Sequence, residues 1–230
     1  MSTSHTILGK NKTPVPDELQ VHSFPYNVLM GDWMIVGSSL KLWKNRSDVL
    51  CRYTPHEYPD GEKQAQLREG GKTGLDITGV SFSDEIWWEQ LDKSGTHQKG
   101  KGAPREKQSI VRGRNRIDPK GVNGASYLWR GYKFLKPFTS HWQVVAYSHN
   151  FLNKQVGEGI ASSEPIWIVT YFTATLFTDA GIDLYVRGHL SDEEYDKIVE
   201  SLRAHKGDTE ADKELQRLAT AMFKIPVGNI

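Results

Sequence analysis

Hydrophobic positions fall into short runs dense in aromatic and β-branched residues, divided by polar segments carrying glycine and proline. Such runs read as strands. Trp33 to Leu42 and Val49 to Tyr53 are the first two, separated by Lys44-Asn45-Arg46-Ser47-Asp48. Leu75 to Phe82 and Glu85 to Leu91 follow, after a glycine-rich loop over 58–73. Three long strands are expected at Ala125 to Phe134, His141 to Ser148 and Ile166 to Phe172. Residues 1–23 are polar with two prolines and read as a flexible arm; residues 24–230 read as one domain.

The period changes after Arg187. Ser191-Asp-Glu-Glu194 is a capping box, and Tyr195, Ile198, Val199 and Leu202 recur at helical spacing. This predicts a helix over 191–205, ended by Gly207, and a second over 209–222 with Leu215, Leu218 and Met222 on one side. About eight strands followed by helices argue for an antiparallel barrel or sandwich and against a doubly wound sheet.

Composition narrows the function classes. With 29 basic against 28 acidic residues, the net charge of +1 sets up no global field toward nucleic acid or anionic lipid. One cysteine, Cys51, excludes an internal disulfide and a multi-cysteine metal site, and in a strand it reads as buried filler. The histidines lack metal-ligand spacing, and there is no complete phosphate loop or nucleophile elbow. No metal, cofactor or nucleic acid is therefore expected. No segment has the length of a signal-peptide core or a membrane span, so a cytoplasmic protein is expected. Lys99 to Arg116 holds seven basic residues against one acid and reads as a solvated loop or a flap by a pocket mouth. Seven tryptophans, nine tyrosines and eight phenylalanines are enough to build a core and to line an apolar pocket.

Gly31-Asp32-Trp33, opening the first strand, resembles the Gly-x-Trp signature of lipocalins, whose tryptophan closes the barrel floor. Trp167-Ile-Val-Thr-Tyr-Phe-Thr-Ala-Thr-Leu176 resembles the last barrel strand of that family, and His141 to Tyr147 the strand before it. YLWRGYKFLKPFTSHW and WIVTYFTATLFTDAGIDLY resemble intracellular fungal lipocalin-like proteins, some of which catalyse Diels–Alder-type cyclisations. The resemblance implies an all-β, eight-stranded antiparallel barrel with C-terminal helices packed outside. It also implies an arginine over the floor tryptophan. That position falls on Tyr171, with Arg187 able to supply the charge from a loop. The middle motif of secreted lipocalins is absent.

Candidate chemistry follows from alternation. His141, Gln143, Val145 and Tyr147 share one face of a strand and Trp142, Val144, Ala146 and Ser148 the other; a register shift of one residue decides which looks inward. His141 as acid or base, and Arg130 and Tyr171 as donors to a ligand oxygen, form the candidate catalytic set. Trp87, Trp88, Trp129, Tyr53, Gln143 and Tyr147 are candidate ligand-binding residues, with Asp76 as a further pocket polar. Three functions stay open. One is a cofactor-independent cyclase acting on a small hydrophobic molecule, a polyketide or terpenoid; another is a carrier for such a molecule; the last is an interaction module with a filled barrel. A homodimer is compatible with each.

Overall fold

The computed structural model describes residues 5–7, 17–20, 23–56, 81–91, 109–118, 120–121, 123–153, 164–175 and 178–228. Its strands are β1 (His5–Ile7), β2 (Gly31–Ser38), β3 (Arg46–Pro55), β4 (Ser81–Gln90) and β5 (Ser109–Ile117). Then come β6 (Ser126–Gly131), β7 (Thr139–Ser148), β8 (Ile166–Phe172), β9 (Gly181–Arg187) and β10 (Phe223–Lys224). The helices are α1 (Tyr26–Leu29), α2 (His149–Asn153), α3 (Asp192–Arg203) and α4 (Glu210–Thr220).

Strands β2 to β7 pair consecutively and antiparallel; β7 pairs β8, β8 pairs β9, and β9 returns to β2. The sheet is thus a closed eight-stranded barrel with a ninth strand, β1, outside it on β7 and the helices following. Its two ends differ. Trp33 of β2 and Arg187 of β9 mark the floor; the turns after β2, β6 and β8 surround the mouth. Short β10 continues the edge of β2 at Gly37 and Ser38, beyond the last residue paired to β3.

Two apolar cores explain the sequence pattern. One fills the barrel and includes Trp33, Cys51, Phe82, Tyr127 and Trp142. The other lies between barrel and helices, where Val145, Trp167, Val169, Leu184 and Val186 meet Ile198, Leu202, Leu215 and Leu218. Strands β8 and β9 are therefore buried on both faces, which is why Ile166 to Phe172 reads as a continuous apolar run. Each long helix begins with a capping box: Ser191 with Glu194, and Thr209 with Asp212.

Several expectations are corrected. Leu75 to Phe82 and Glu85 to Leu91 are not two strands divided near Ser83-Asp84. Ser81 to Gln90 is one strand, with Asp84 buried inside the barrel; residues 75–80 lie outside the described set. The part of Lys99 to Arg116 that is described is strand β5, not loop or flap. Arg112, Arg114 and Arg116 face solvent while Gly113, Asn115 and Ile117 are buried, so charge on one face concealed the alternation. Residues 99–108, Asp76 and the 58–73 loop fall outside the described residues. Trp167 to Leu176 does not hold the last barrel strand: β9 follows β8 and closes the barrel against β2, with Asp183 as a polar residue within its apolar run. Within residues 1–23, β1 pairs with β7 and Leu19 is fully buried. No helix of the described residues is long and apolar enough to cross a membrane.

Candidate functional site

The barrel is filled below and open above. In the lower half, Tyr127 stacks on Trp142 with ring centroids 4.4 Å apart, and Trp142 on Tyr53 at 5.8 Å. Phe82 meets Tyr53 and Tyr127 edge-on at 5.2 and 5.1 Å. Above this aromatic plug lies a cavity of about 480 Å³. Tyr53, Trp129, Trp142, Phe172 and Tyr185 give it aromatic walls, and Leu42, Trp43, Leu135 and Phe138 stand toward the mouth.

Two carboxyl groups face this space. Asp84 of β4 accepts the Trp129 indole N–H at 2.9 and 3.1 Å from its two oxygens, and the Asn115 amide N–H at 3.2 Å. Asn115 in turn accepts the Trp142 indole N–H at 2.8 Å. Gly113 makes this arrangement possible: a Cβ there would lie 1.9 Å from Trp129 Nε1. Burial pushes the Asp84 carboxyl up to about 7, against the opposing pull of its hydrogen bonds. Asp183 of β9 accepts the Ser38 hydroxyl at 2.5 Å and the Trp43 indole N–H at 3.2 Å, and burial pushes it up to about 7 as well. Burial also raises the Cys51 thiol and the Tyr53 and Tyr185 phenols well above their usual values, so these groups stay protonated near neutral pH. Arg46 lies toward the mouth, its guanidinium 4.2 Å from the centroid of the Trp88 ring and 5.3 Å from that of Trp43.

The anticipated residues separate by strand face. Trp129 and Tyr53 line the cavity. Trp88 points inward against Trp43 at 5.9 Å, whereas Trp87 points outward beneath the Arg52 guanidinium. Tyr147 faces the interior near the floor, 6.1 Å from Phe151. Because Trp129 and Trp142 take inward positions, their neighbours Arg130, His141 and Gln143 point out of the barrel. Arg130 is exposed and donates to the Lys136 carbonyl at 3.0 Å. His141 is half-exposed, with Nδ1 2.6 Å from Asp118 Oδ2. Gln143 is buried on the outer face, 3.5 Å from the Ser126 hydroxyl. Tyr171 belongs to the barrel–helix core and donates to Glu214 of α4 at 3.2 Å. His141, Arg130 and Tyr171 are thus neither gathered nor directed at the cavity.

Tyr171 does not stand over the floor tryptophan either. Arg187, the last residue of β9 and not a loop residue, places its guanidinium 3.9 Å from the centroid of the Trp33 ring. It also donates to the carbonyls of Val28, Leu29, Met30 and Asp32, stitching α1 and the start of β2 across the barrel end.

Sequence reasoning missed Asp84, Asn115 and Asp183. The signal available was a lone polar residue at an inward position of a strand, as in Gly181-Ile-Asp-Leu-Tyr185; it needed the register to be read. Among the described residues no group of histidine, cysteine and carboxylate side chains is arranged to hold a metal ion.

No family model and no curated protein matches the chain. Among solved structures, lobster apocrustacyanin A1 is similar at 12% identity, over 97% of this chain and 91% of that one, with a TM-score of 0.49. Insecticyanin from the tobacco hornworm Manduca sexta is similar at 9% identity, over 99% and 91%, with a TM-score of 0.45. The assignment of the fold rests on the strand pairing itself: a closed, eight-stranded antiparallel barrel of lipocalin-like fold, with its helices outside.

Proposed function

We propose that this protein encloses one small, largely hydrophobic molecule in the upper half of its barrel. The observation that carries the reading is the cavity of about 480 Å³ under the mouth, walled by aromatic rings and furnished with few polar groups. Cavities of this size and lining suit single small ligands.

One observation favours a second reading, in which the enclosed molecule is converted. Asp84 and Asp183 face the cavity from two strands. In its protonated form either carboxyl can donate to a ligand oxygen, while the walls hold a polyketide or terpenoid chain folded for cyclisation. A carrier needs only the shape and the lining.

Native mass spectrometry of protein purified from its source cells, with organic extraction of what it carries, tests both readings. A stoichiometric small molecule supports enclosure. A molecule that leaves chemically changed, with the change lost in Asp84→Asn or Asp183→Asn, supports conversion. One that returns unchanged makes the protein a carrier. No binding from any extract overturns the proposal.

A further inference from the structure

Asp84 and Asp183 are buried, with 4% and 1% of their surface exposed. Both occupy a cavity whose other walls are mostly apolar. A carboxylate taken from water carries a large desolvation cost, and proteins ordinarily offset it with a cation. Here the identified side-chain partners are neutral donors: two indoles, an amide and a hydroxyl. Among the described residues no lysine, arginine or histidine forms an ion pair with either group. Around Asp84 these partners are donors alone, which suits the ionised form, because a protonated carboxyl needs an acceptor for its own proton; at Asp183 the Ser38 hydroxyl can serve either form. The cavity thus holds two buried carboxyl groups, one of them ringed by donors, and neither is paired with a cation among the described residues. The surrounding surface is also of the kind that attracts cations, since Tyr53, Trp129, Trp142 and Tyr185 bring aromatic rings to the same space.

We infer that the enclosed molecule carries a basic nitrogen, and that Asp84 or Asp183 receives its protonated amine while the aromatic walls hold its hydrophobic body. The inference rests on the enclosure reading and adds the class of ligand. Arg46 is the one guanidinium that lines the cavity among the described residues, and it presents the rival chemistry, an acidic ligand. It lies against two indole rings, and no carboxyl partner is identified for it. An anion seated below it would meet two carboxyl groups.

The test is displacement of the neutral dye Nile red by three probes of one chain length: decylamine, decanol and decanoate. Decylamine is expected to compete roughly tenfold or more better than decanol, the scale of a desolvated charge and cation–π pair, with decanoate weakest. Asp84→Asn or Asp183→Asn, made separately, is expected to narrow the gap between amine and alcohol, with Nile red fluorescence reporting that each variant has formed its cavity. If Nile red binds and decanol or decanoate competes as well as decylamine, the amine inference fails and enclosure stands. If Nile red does not bind the unaltered protein, the enclosure reading fails first.

Discussion

The indole N–H of Trp129 reaches from β6 across β5 to both oxygens of Asp84 on β4, at 2.9 and 3.1 Å, through the space left by Gly113. Three adjacent strands thus build one feature of the cavity wall. Replacing Gly113 with alanine sets a methyl group 1.9 Å from Trp129 Nε1 and 2.7 Å from Asp84 Oδ1. Gly113→Ala is expected to cost about 1–3 kcal/mol by overpacking. Urea denaturation followed by tryptophan fluorescence measures this, and an unchanged midpoint would show that Trp129 does not cross here.

Trp129→Phe keeps an aromatic ring, smaller than the indole, and removes the donor. The buried carboxyl then loses a charge-assisted hydrogen bond, for an expected loss of about 1–3 kcal/mol. The Asp84 titration moves further up. NMR of the side-chain carboxyl across pH reads that shift directly; a titration that stays in place would remove Trp129 from the account.

Arg187 ties the floor together by facing Trp33 and four main-chain carbonyls. Arg187→Ala removes the guanidinium donor from those carbonyls, of which only that of Leu29 keeps the Trp33 indole N–H as a side-chain donor, and a loss of about 2–4 kcal/mol is expected. Arg187→Lys keeps a charge but not the planar fork, and recovers only part of it. Thermal unfolding of the two variants beside the parent gives the order, and equal melting temperatures for all three would contradict the role.

Stability depends on pH through the two cavity carboxyls, and the sign is fixed by their raised proton affinity. Folded Asp84 and Asp183 bind protons up to about pH 7, whereas in the unfolded chain they release them near the ordinary value of 3.8. The folded state binds more protons in between, so stability falls as pH rises from about 4 to about 7 and then levels from this source. Asp183→Asn is expected to flatten that slope. Denaturation midpoints at pH 5 and pH 8 test it, and a slope identical to the parent's would mean that Asp183 is not buried in this way.

His141, Arg130 and Tyr171 lie outside the cavity, so their removal acts on stability alone. His141→Ala and Arg130→Ala, at exposed positions, are expected to cost up to about 1 kcal/mol. Tyr171→Phe forfeits one hydrogen bond to Glu214, about 0.5–1.5 kcal/mol. Nile red affinity is expected to stay within roughly twofold of the parent in all three, as for distant independent sites. A large loss in any of them would return that residue to the site.

Much of the fold was legible in the chain. Gly31-Asp32-Trp33 marked the start of the barrel, aromatic and β-branched runs marked most of its strands, and Ser191 with Glu194 marked the turn to helix. These are local signals: backbone preference, alternation and capping act within a few residues. What stayed hidden was the inward face of each strand. A residue's neighbours in the chain do not determine it, because a one-residue change of register exchanges the two faces. That register puts Trp142 inside and His141 outside, turns the arginine-rich β5 into a wall contributing Asn115, and buries Asp84 where the sequence suggested a break. It also places Arg187, and not Tyr171, over Trp33. Sequence alone determined an antiparallel all-β domain rich in aromatic rings, with helices after it; closure of the sheet, by pairing residues more than a hundred positions apart, made it a barrel and decided which groups meet inside it.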